Sequence, residues 1–231
     1  MDLSTGLPQG DAKATAVREM FDTIAPRYDT LNRILTFRMD VGWRRRAIRE
    51  LDLPAGSVII DQASGTGDFC RELEERGYRP IGLDLSYGML AAARTRAPLV
   101  QGDALRLPFA DGSVDGITSG YGLRNMVELV PVFAECARVL RPGGRLAILE
   151  VSEPANPLLR TGHQMYFNKV VPLVGGLLSD KEAYAYLPRS VEYLPDEYGL
   201  RTMITNAGFT DARHTALAGG VSQLITATRR S

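Results

Sequence analysis

A run of branched apolar residues that leads directly into a glycine turn and then a helix constrains this chain most. Residues 58–61 are Val-Ile-Ile-Asp, the turn is Ser64-Gly65-Thr66-Gly67, and Phe69-Cys70-Arg71-Glu72-Leu73 follows as a helix-forming segment. Such a unit points backbone N–H groups and the N-terminus of a helix at a bound ligand. We therefore predict a nucleotide-type ligand at the end of the first strand.

Strands and helices alternate after residue 57, which is typical of a mostly parallel sheet with helices on both faces. We predict an α/β, Rossmann-like fold with seven strands at 58–61, 80–85, 98–101, 114–119, 145–151, 209–216 and 221–228. Helices are predicted between them at 68–76, 87–96 and 128–140. Gly219-Gly220 joins the last two strands, so the sheet is expected to end in an antiparallel hairpin.

Three short signals place the boundaries of these elements. Ser86 is predicted to be the N-cap of the helix at 87–96, and Asp40 is a candidate cap ahead of a helix from Val41 to Leu51. Pro142-Gly143-Gly144 predicts a sharp turn that feeds the fifth strand.

Two segments lie outside this alternating core, and we interpret the whole of 1–231 as one domain. Residues 12–51 are predicted to form a helical cap, and 57–157 together with 191–231 form the ligand-binding core. Residues 158–190 are an insertion with an apolar run from Met165 to Leu178. Insertions at this position usually cover a pocket at the carboxyl ends of the strands, so we predict a helical lid.

Charge and cysteine content exclude several classes of protein. The 27 basic and 27 acidic residues balance, which leaves no electrostatic footprint for nucleic acid. The basic runs at 43–46 and 229–230 are expected to be a solvated helix face and a frayed tail. Cys70 and Cys136 lack metal-ligand spacing, so we predict buried free thiols and no metal site.

The start of the chain and its hydropathy bear on where it works. Residues 1–6 are too polar for a signal peptide, and no apolar run approaches the roughly 18 residues of a membrane span. We expect a cytoplasmic protein, and the apolar insertion from Met165 to Leu178 suggests peripheral contact with a membrane. Alternatively, the apolar run from Met165 to Leu178 forms only the core of the lid. The sequence leaves open whether the chain forms a homo-oligomer.

Aspartates at three successive strand ends identify the kind of nucleotide ligand. Asp84 can accept both hydroxyls of a ribose, Asp61 can accept from the ammonium of a methionine group, and Asp103 can accept from an adenine amino group. A dinucleotide site would favour a third glycine where this chain has Cys70. We therefore predict S-adenosylmethionine as the cofactor, and an NAD-dependent enzyme is the disfavoured alternative. The residues predicted to bind this cofactor are Asp61, Ala63, Gly65, Thr66, Gly67, Asp84, Leu85, Met89, Gly102, Asp103, Ala104, Gly120 and Tyr121.

Four motifs resemble the ubiquinone/menaquinone biosynthesis C-methyltransferases, and the resemblance extends from about residue 17 to 228. They are Arg138-Val-Leu-Arg-Pro-Gly-Gly-Arg-Leu-Ala-Ile-Leu-Glu-Val-Ser152, Tyr121-Gly-Leu-Arg-Asn125, Ala183-Tyr-Ala-Tyr-Leu-Pro-Arg-Ser190 and Tyr28-Asp-Thr-Leu-Asn32 with Trp43 downstream. The resemblance implies a class I S-adenosylmethionine-dependent methyltransferase, with a small lipophilic aromatic acceptor, a prenylated quinol.

The chain departs from the family's pattern in a few places. Leu31 and Thr36 replace Met and Ser, and Asp40 stands where the family commonly has His. Ser222-Gln223-Leu224-Ile225 stands where the family typically has Val-Ala-Leu-His. This last change motivates an alternative, in which the same cofactor serves a polyketide or another specialised aromatic acceptor. A further alternative is a protein of this fold that binds the cofactor without transferring methyl.

Methylation of an aromatic carbon requires the neighbouring hydroxyl to lose its proton, so the site should stabilise a phenolate or provide a base. Arg124 with Asn125 is the first candidate, with an ion pair that fixes the loop as the alternative. Tyr28 and Asp40 are further candidates, with packing and helix capping as their alternatives. The predicted substrate-binding residues are Asn32, Glu150, Ser152, Tyr166 and Tyr184. His163 and His214 are expected to be surface or packing residues.

Overall fold

The computed structural model describes residues 8–178 and 181–231, and seven strands of this part of the chain form one sheet in the order β3-β2-β1-β4-β5-β7-β6. Strand β7 is antiparallel to both β5 and β6, whereas the pairs from β3 to β5 are parallel. The strands are β1 Val58–Gln62, β2 Arg79–Asp84, β3 Leu99–Gln101, β4 Val114–Gly120, β5 Leu140–Val151, β6 Phe209–Leu217 and β7 Ser222–Arg229. The predicted fold class is confirmed.

Helices precede, separate and cover these strands. The described α-helices are α1 Gly10–Leu35, α2 Met39–Leu51, α3 Asp68–Glu75, α4 Tyr87–Ala91, α5 Leu129–Val139, α6 Pro157–Met165, α7 Val171–Leu178, α8 Lys181–Ser190 and α9 Glu197–Asn206. A π-helical turn, Tyr166–Val170, joins α6 to α7. Among the described residues, no helix is long and apolar enough to cross a membrane.

The order of the strands reverses at β1, and this reversal creates the site. Ile59 and Ile60 are fully buried and anchor β1 in the middle of the sheet, between β2 and β4. Because the chain leaves β1 toward one side of the sheet and leaves β4 toward the other, a crevice opens at their carboxyl ends. The glycine turn at 64–67 borders this crevice.

The predicted N-terminal helical segment consists of two helices, α1 and α2. Phe37 and Arg38 have φ values of 50° and 60°, and this left-handed pair separates α1 from α2. The long α1 lies on the core through buried polar contacts, since Lys13 donates to the Met126 carbonyl at 2.6 Å and Asp22 accepts from Ser86 Oγ at 2.6 Å. Pro26 lies inside α1.

Several predicted boundaries need correction. The predicted cap at Asp40 is wrong, because α2 begins at Met39 and the N-cap position is occupied by Arg38. The helix predicted at 87–96 ends at Ala91, because the Arg94 N–H bonds to the Thr66 carbonyl instead of continuing the helix. The predicted frayed tail is wrong for Arg229, which lies in β7 and donates to the Ala137 carbonyl at 2.7 Å.

Two other local predictions are confirmed, and the turn predicted ahead of the fifth strand lies inside that strand. Ser86 caps α4 by accepting from the Met89 N–H at 3.0 Å. Cys70 and Cys136 are buried free thiols. The turn predicted at 142–144 lies within a bulge of β5. Val114 of β4 pairs with Leu140 and Gly116 pairs with Arg145, so β5 has extra residues between two nearby pairs.

The β5 bulge gives a test of the fold. A Cβ at Gly144 would lie 2.8 Å from the Arg141 carbonyl oxygen, so Gly144→Ala should lower the free energy of unfolding by about 1–3 kcal/mol. Gly42 lies in α2 with no atom near its would-be Cβ, so Gly42→Ala should raise it by about 0.5–1 kcal/mol. Urea denaturation measures both, and equal effects would contradict the described bulge.

Candidate functional site

Three adjoining cavities open at the carboxyl edge of the sheet. The turn cavity, of about 50 Å³, lies against the glycine turn and includes Asp61 and Arg44. The strand-end cavity, of about 100 Å³, lies beside the ends of β2 and β3 and includes Asp84. The lid cavity, of about 460 Å³, lies under α6 and the π-helical turn. Tyr28 and Tyr121 line all three, so the cavities share one wall.

Asp61 is the buried acid of the turn cavity. Its carboxylate accepts from Thr118 Oγ1 at 3.0 Å and from Cys70 Sγ at 3.6 Å. Burial raises its pKa to about 7, because few dipoles in this place replace the water that an ionised carboxylate loses. A cation that enters the turn cavity would stabilise the ionised form.

Arg44 supplies the opposite charge in the same cavity. Its guanidinium contacts Asp40 at 2.5 Å, Glu72 at 3.1 Å and Asp68 at 3.3 Å, and the residue is buried. The expectation that the basic run at 43–46 is a solvated face is therefore wrong for Arg44. Asp40 bonds to Arg44 and accepts from Thr36 Oγ1 at 2.6 Å, so it holds Arg44 in place and lines none of the three cavities.

Asp84 is the acid of the strand-end cavity. Its two oxygens accept from the Gly65 N–H at 2.8 Å and from the Ser86 N–H at 2.9 Å. Burial raises its pKa, while these backbone bonds oppose the rise. Each carboxylate oxygen can accept a second hydrogen bond, so Asp84 can still receive a pair of ligand hydroxyls.

The backbone around these cavities is held in conformations that non-glycine residues rarely adopt. Ala63 follows β1 with a φ of 57°, and Tyr121 follows β4 with a φ of 58°. A Cβ at Gly122 would lie 2.5 Å from the Cβ of Ala63, so the two strand ends approach each other closely. Strain of this kind concentrates at ligand sites, where it fixes the walls of a cavity.

Arg124 is the buried cation of the lid cavity. It forms a salt bridge with Glu150 through Nη1, and its Nε donates to Ser190 Oγ at 3.1 Å. Neither contact uses Nη2. Burial raises the pKa of Tyr28 to about 12 and also raises that of Tyr121, so both phenols remain protonated near neutral pH.

Most predicted site residues lie on these cavities. The strand-end cavity is lined by Ala63, Gly65, Asp84, Leu85, Met89, Gly102, Asp103, Ala104, Gly120, Tyr121 and Asn125. The turn cavity adds Asp61 and Thr66, and the lid cavity is lined by Tyr28, Asn32, Arg124 and Tyr166. The structure therefore brings these residues together around three adjoining cavities.

Four predicted residues, Asp40, Gly67, Glu150 and Ser152, line none of the three cavities. Gly67 lines none of the three cavities; it precedes α3 with a φ of 83°, where its conformational freedom permits the turn. Glu150 and Ser152 also lie off the cavities, and Glu150 holds Arg124 from behind. The side chain of Tyr184 lies outside the described residues. Its neighbour Tyr186 is fully buried and donates to Asn125 Oδ1 at 3.2 Å.

Sequence reasoning missed several lining residues. Ala14, Val17 and Phe21 on α1 line the strand-end cavity, and no motif marked them. Arg44 was detectable as part of a Trp-Arg-Arg-Arg run, but its burial was not. His163, expected to be a surface or packing residue, lines the lid cavity.

The departure in the last hairpin is divided between the hydrophobic core and the lid cavity. Ile225 stands where the family typically has His, and it is buried in the hydrophobic core with Ile148 and Phe209. The hairpin residues that do line the lid cavity are Ala218, Val221 and Ser222. The substitution at Ile225 therefore changes the core rather than the lining of the lid cavity.

The burial of Asp61 predicts a dependence of stability on pH. Its pKa is about 7 in the folded chain and about 4 when unfolded, so the folded state loses stability as pH rises through this window. Asp61→Asn should remove this loss and stabilise the protein by about 2–4 kcal/mol at pH 8, with the gain shrinking toward pH 4.

Chemical denaturation of the ligand-free protein at pH 4, 6 and 8 measures the effect. Asp111→Asn is the control, because the Asp111 side chain is 80% exposed. A gain for Asp61→Asn that does not change with pH would contradict the raised pKa.

Together the cavities suit a ligand with distinct ends. A carboxylate and a guanidinium in the turn cavity match the ammonium and carboxylate of an amino acid, and Asp84 in the strand-end cavity matches a diol. The lid cavity is mostly apolar and matches a hydrophobic ring.

Known proteins are similar to this chain in sequence and in fold. A protein of Syntrophotalea carbinolica named ubiquinone/menaquinone biosynthesis C-methyltransferase UbiE is 42% identical, over 92% of this chain and 93% of its own. A demethylmenaquinone methyltransferase of Deinococcus radiodurans is 42% identical, over 96% of this chain and 97% of its own. A solved SAM-dependent methyltransferase of Thermotoga maritima superposes with a TM-score of 0.66 at 18% identity, over 93% of this chain and 100% of that chain.

The chain also matches a protein family over nearly its whole length. Residues 9–229 match the pattern of one family, and this span includes the glycine turn, both buried arginines and the lid. The chain therefore belongs to the ubiE/COQ5 methyltransferase family.

Proposed function

We propose that this chain methylates a ring carbon of a prenylated quinol, demethylmenaquinol by preference, in quinone biosynthesis. The observation that carries the proposal is the shared wall of Tyr28 and Tyr121, which brings the two polar cavities against the large apolar one. Relatives at 42% identity are named for the same reaction. The family makes the chain a methyltransferase, and S-adenosylmethionine is its methyl donor.

The residues of the two smaller cavities fit that donor. Asp61 would hold the ammonium and Arg44 the carboxylate of its methionine part, while Asp84 would accept the ribose hydroxyls and Asp103 would lie at the adenine. When bound, the donor supplies an electrophilic methyl group. The chain's own contribution is to orient the reactants and exclude water, and α1 with the lid helices covers the cavities for this purpose.

We propose that Arg124 acts on the acceptor. It lines the lid cavity, and its salt bridge with Glu150 and bond to Ser190 fix the guanidinium before any ligand binds. A fixed cation lowers the free energy of a developing phenolate without having to reorganise. Tyr28 and Tyr121 remain protonated near neutral pH, so they serve as hydrogen-bond donors rather than bases.

Arg124→Lys tests this role. Lysine keeps a positive charge beside Glu150 but loses the planar fork, so kcat should fall about a hundredfold while the dissociation constant for S-adenosylmethionine stays unchanged. Arg141→Lys is the control, because Arg141 pairs with Asp115 away from the cavities. Steady-state kinetics and calorimetric titration give the two constants, and unchanged kcat in Arg124→Lys would remove Arg124 from the mechanism.

The acceptor itself is tested by product mass. Purified protein with labelled S-adenosylmethionine should methylate short-chain demethylmenaquinol and leave simple phenols and polyketide-type aromatics unmodified. Quinones extracted from cells that lack and carry this chain should differ by one methyl group. Turnover of other aromatics in preference to the quinol would favour a specialised-metabolite methyltransferase, and binding of the donor without any turnover would favour a non-methylating protein.

The mouth of the lid cavity carries exposed apolar side chains. Phe37, Leu158 and Leu159 line the cavity and are 71%, 82% and 51% exposed. Leu173, two residues beyond the lining residue Val171 on α7, is 63% exposed. A prenylated quinol resides in a bilayer, so we propose that this rim touches the membrane surface when the substrate enters. Val174, Leu177 and Leu178, expected in the same mouth, have side chains outside the described residues.

Removal of the rim should weaken membrane binding. The triple variant Phe37→Ser, Leu158→Ser, Leu173→Ser should pellet with phosphatidylethanolamine and phosphatidylglycerol vesicles about tenfold less than the unchanged chain. A control variant changes Val130 and Tyr198 to Ser, because both are exposed on α5 and α9 and line none of the three cavities. Equal pelleting of the two variants would refute the membrane contact.

A further inference from the structure

The lid cavity contains a histidine that has no role in the mechanism above. His163 lies on α6, lines the lid cavity and stacks on Phe167 with ring centroids 5.3 Å apart and planes inclined by 18°. The stack fixes the plane of the imidazole beside the space that the acceptor ring would fill. The chain's other histidine, His214, contacts Glu197 at 3.2 Å and Gln223 at 3.0 Å and lines none of the three cavities.

The two ring nitrogens of His163 differ in their surroundings. Nδ1 is buried and has no hydrogen-bond partner among the described residues. In folded proteins a buried N–H without an acceptor is rarer than an acceptor with an unused lone pair. The favoured neutral tautomer therefore leaves Nδ1 bare and places the proton on Nε2.

The charge state of His163 agrees with this tautomer. Burial lowers its pKa, and the nearby charge that opposes the fall is Glu153. Glu153 accepts from Gln164 Nε2 at 3.5 Å, so part of its charge is already engaged. Imidazolium would also require a second N–H, at the unpartnered Nδ1. His163 is therefore neutral near pH 7 and offers one donor, Nε2–H.

We infer that His163 is a neutral hydrogen-bond donor to a ring oxygen of the acceptor, and that its Nε2–H fixes which ring carbon faces the methyl donor. The inference rests on the proposed function, since it names the group that recognises the quinol oxygen in that site. Among the described residues that line the lid cavity, His163 and Arg124 approach from different elements, α6 and the turn after β4. Donors on separate walls fix the orientation of a ring, and His163 adds a donor from α6 to those that Arg124, Tyr28 and Tyr121 offer from other elements.

The position of the single tryptophan provides a readout that needs no turnover. Trp43 lines the lid cavity, and it is the chain's only Trp. A short-chain prenylated 1,4-naphthoquinone carries the same ring oxygens as the quinol, is stable in air and should quench Trp43 fluorescence when it binds. Quinone carbonyls accept hydrogen bonds, so the quinone is a probe for a donor and not for a base.

Matched variants distinguish a donor from a base. His163→Leu should weaken quinone binding about tenfold and lower kcat/KM for the quinol at least as much. His163→Gln keeps a neutral N–H at a similar reach, so it should restore binding and turnover to within about threefold of the unchanged chain. His214→Gln should change neither. If His163→Gln is as impaired as His163→Leu, or if His163→Leu binds and turns over normally, the inference is overturned.

Nuclear magnetic resonance gives an independent measure of the tautomer. In a His214→Gln background His163 is the only histidine, and its ¹⁵N shifts should report Nε2–H and bare Nδ1 between pH 6.5 and 8, with and without the quinone. Protonation of Nδ1 on binding would refute a neutral donor. If the unchanged chain neither binds the quinone nor methylates the quinol, the proposed function fails instead, so the two failures are separable.

Discussion

The reversal of strand order at β1 is the constraint on which the rest of the molecule depends. Strand β1 has β2 on one side and β4 on the other. The chain segments that follow the carboxyl ends of β1 and β4 must therefore diverge. The left-handed residues Ala63 and Tyr121 follow those ends and form the walls of the gap. All three cavities open at this gap, and the helices before β1 and after β5 lie over it. The site is thus a consequence of topology, and side chains adjust its chemistry.

The buried charges of the site are arranged to be in place before ligands arrive. Arg44 is held by three carboxylates from α2 and α3, and Arg124 is held by Glu150 from β5. Each guanidinium loses water on burial, and that cost is offset only where several hydrogen bonds replace the water. The result is a pair of fixed cations, one on the donor side and one on the acceptor side of the shared tyrosine wall.

Sequence patterns predicted the parts of the fold that depend on local chemistry. The strands, the glycine turn and the cap at Ser86 follow from apolar runs, backbone freedom and a hydroxyl at the right place, and these predictions are confirmed. The end of α4 was missed because Arg94 bonds to Thr66, a contact made only when the chain is folded. The burial of Arg44 was missed for the same reason, since burial of a polar side chain depends on partners distant in sequence.

One proline has a consequence for how the enclosed site exchanges its contents. Before Pro26, the residues Ala14, Val17 and Phe21 line the strand-end cavity; after it, Asn32 lines the lid cavity and Tyr28 lines both. Proline lacks the N–H that would continue the helical ladder, so helices bend most easily there. The strand-end cavity therefore lies beneath the segment of α1 before Pro26, whereas Tyr28 beyond it borders both cavities. A bend at Pro26 that lifted only the first segment would uncover the strand-end cavity and leave the lid cavity covered.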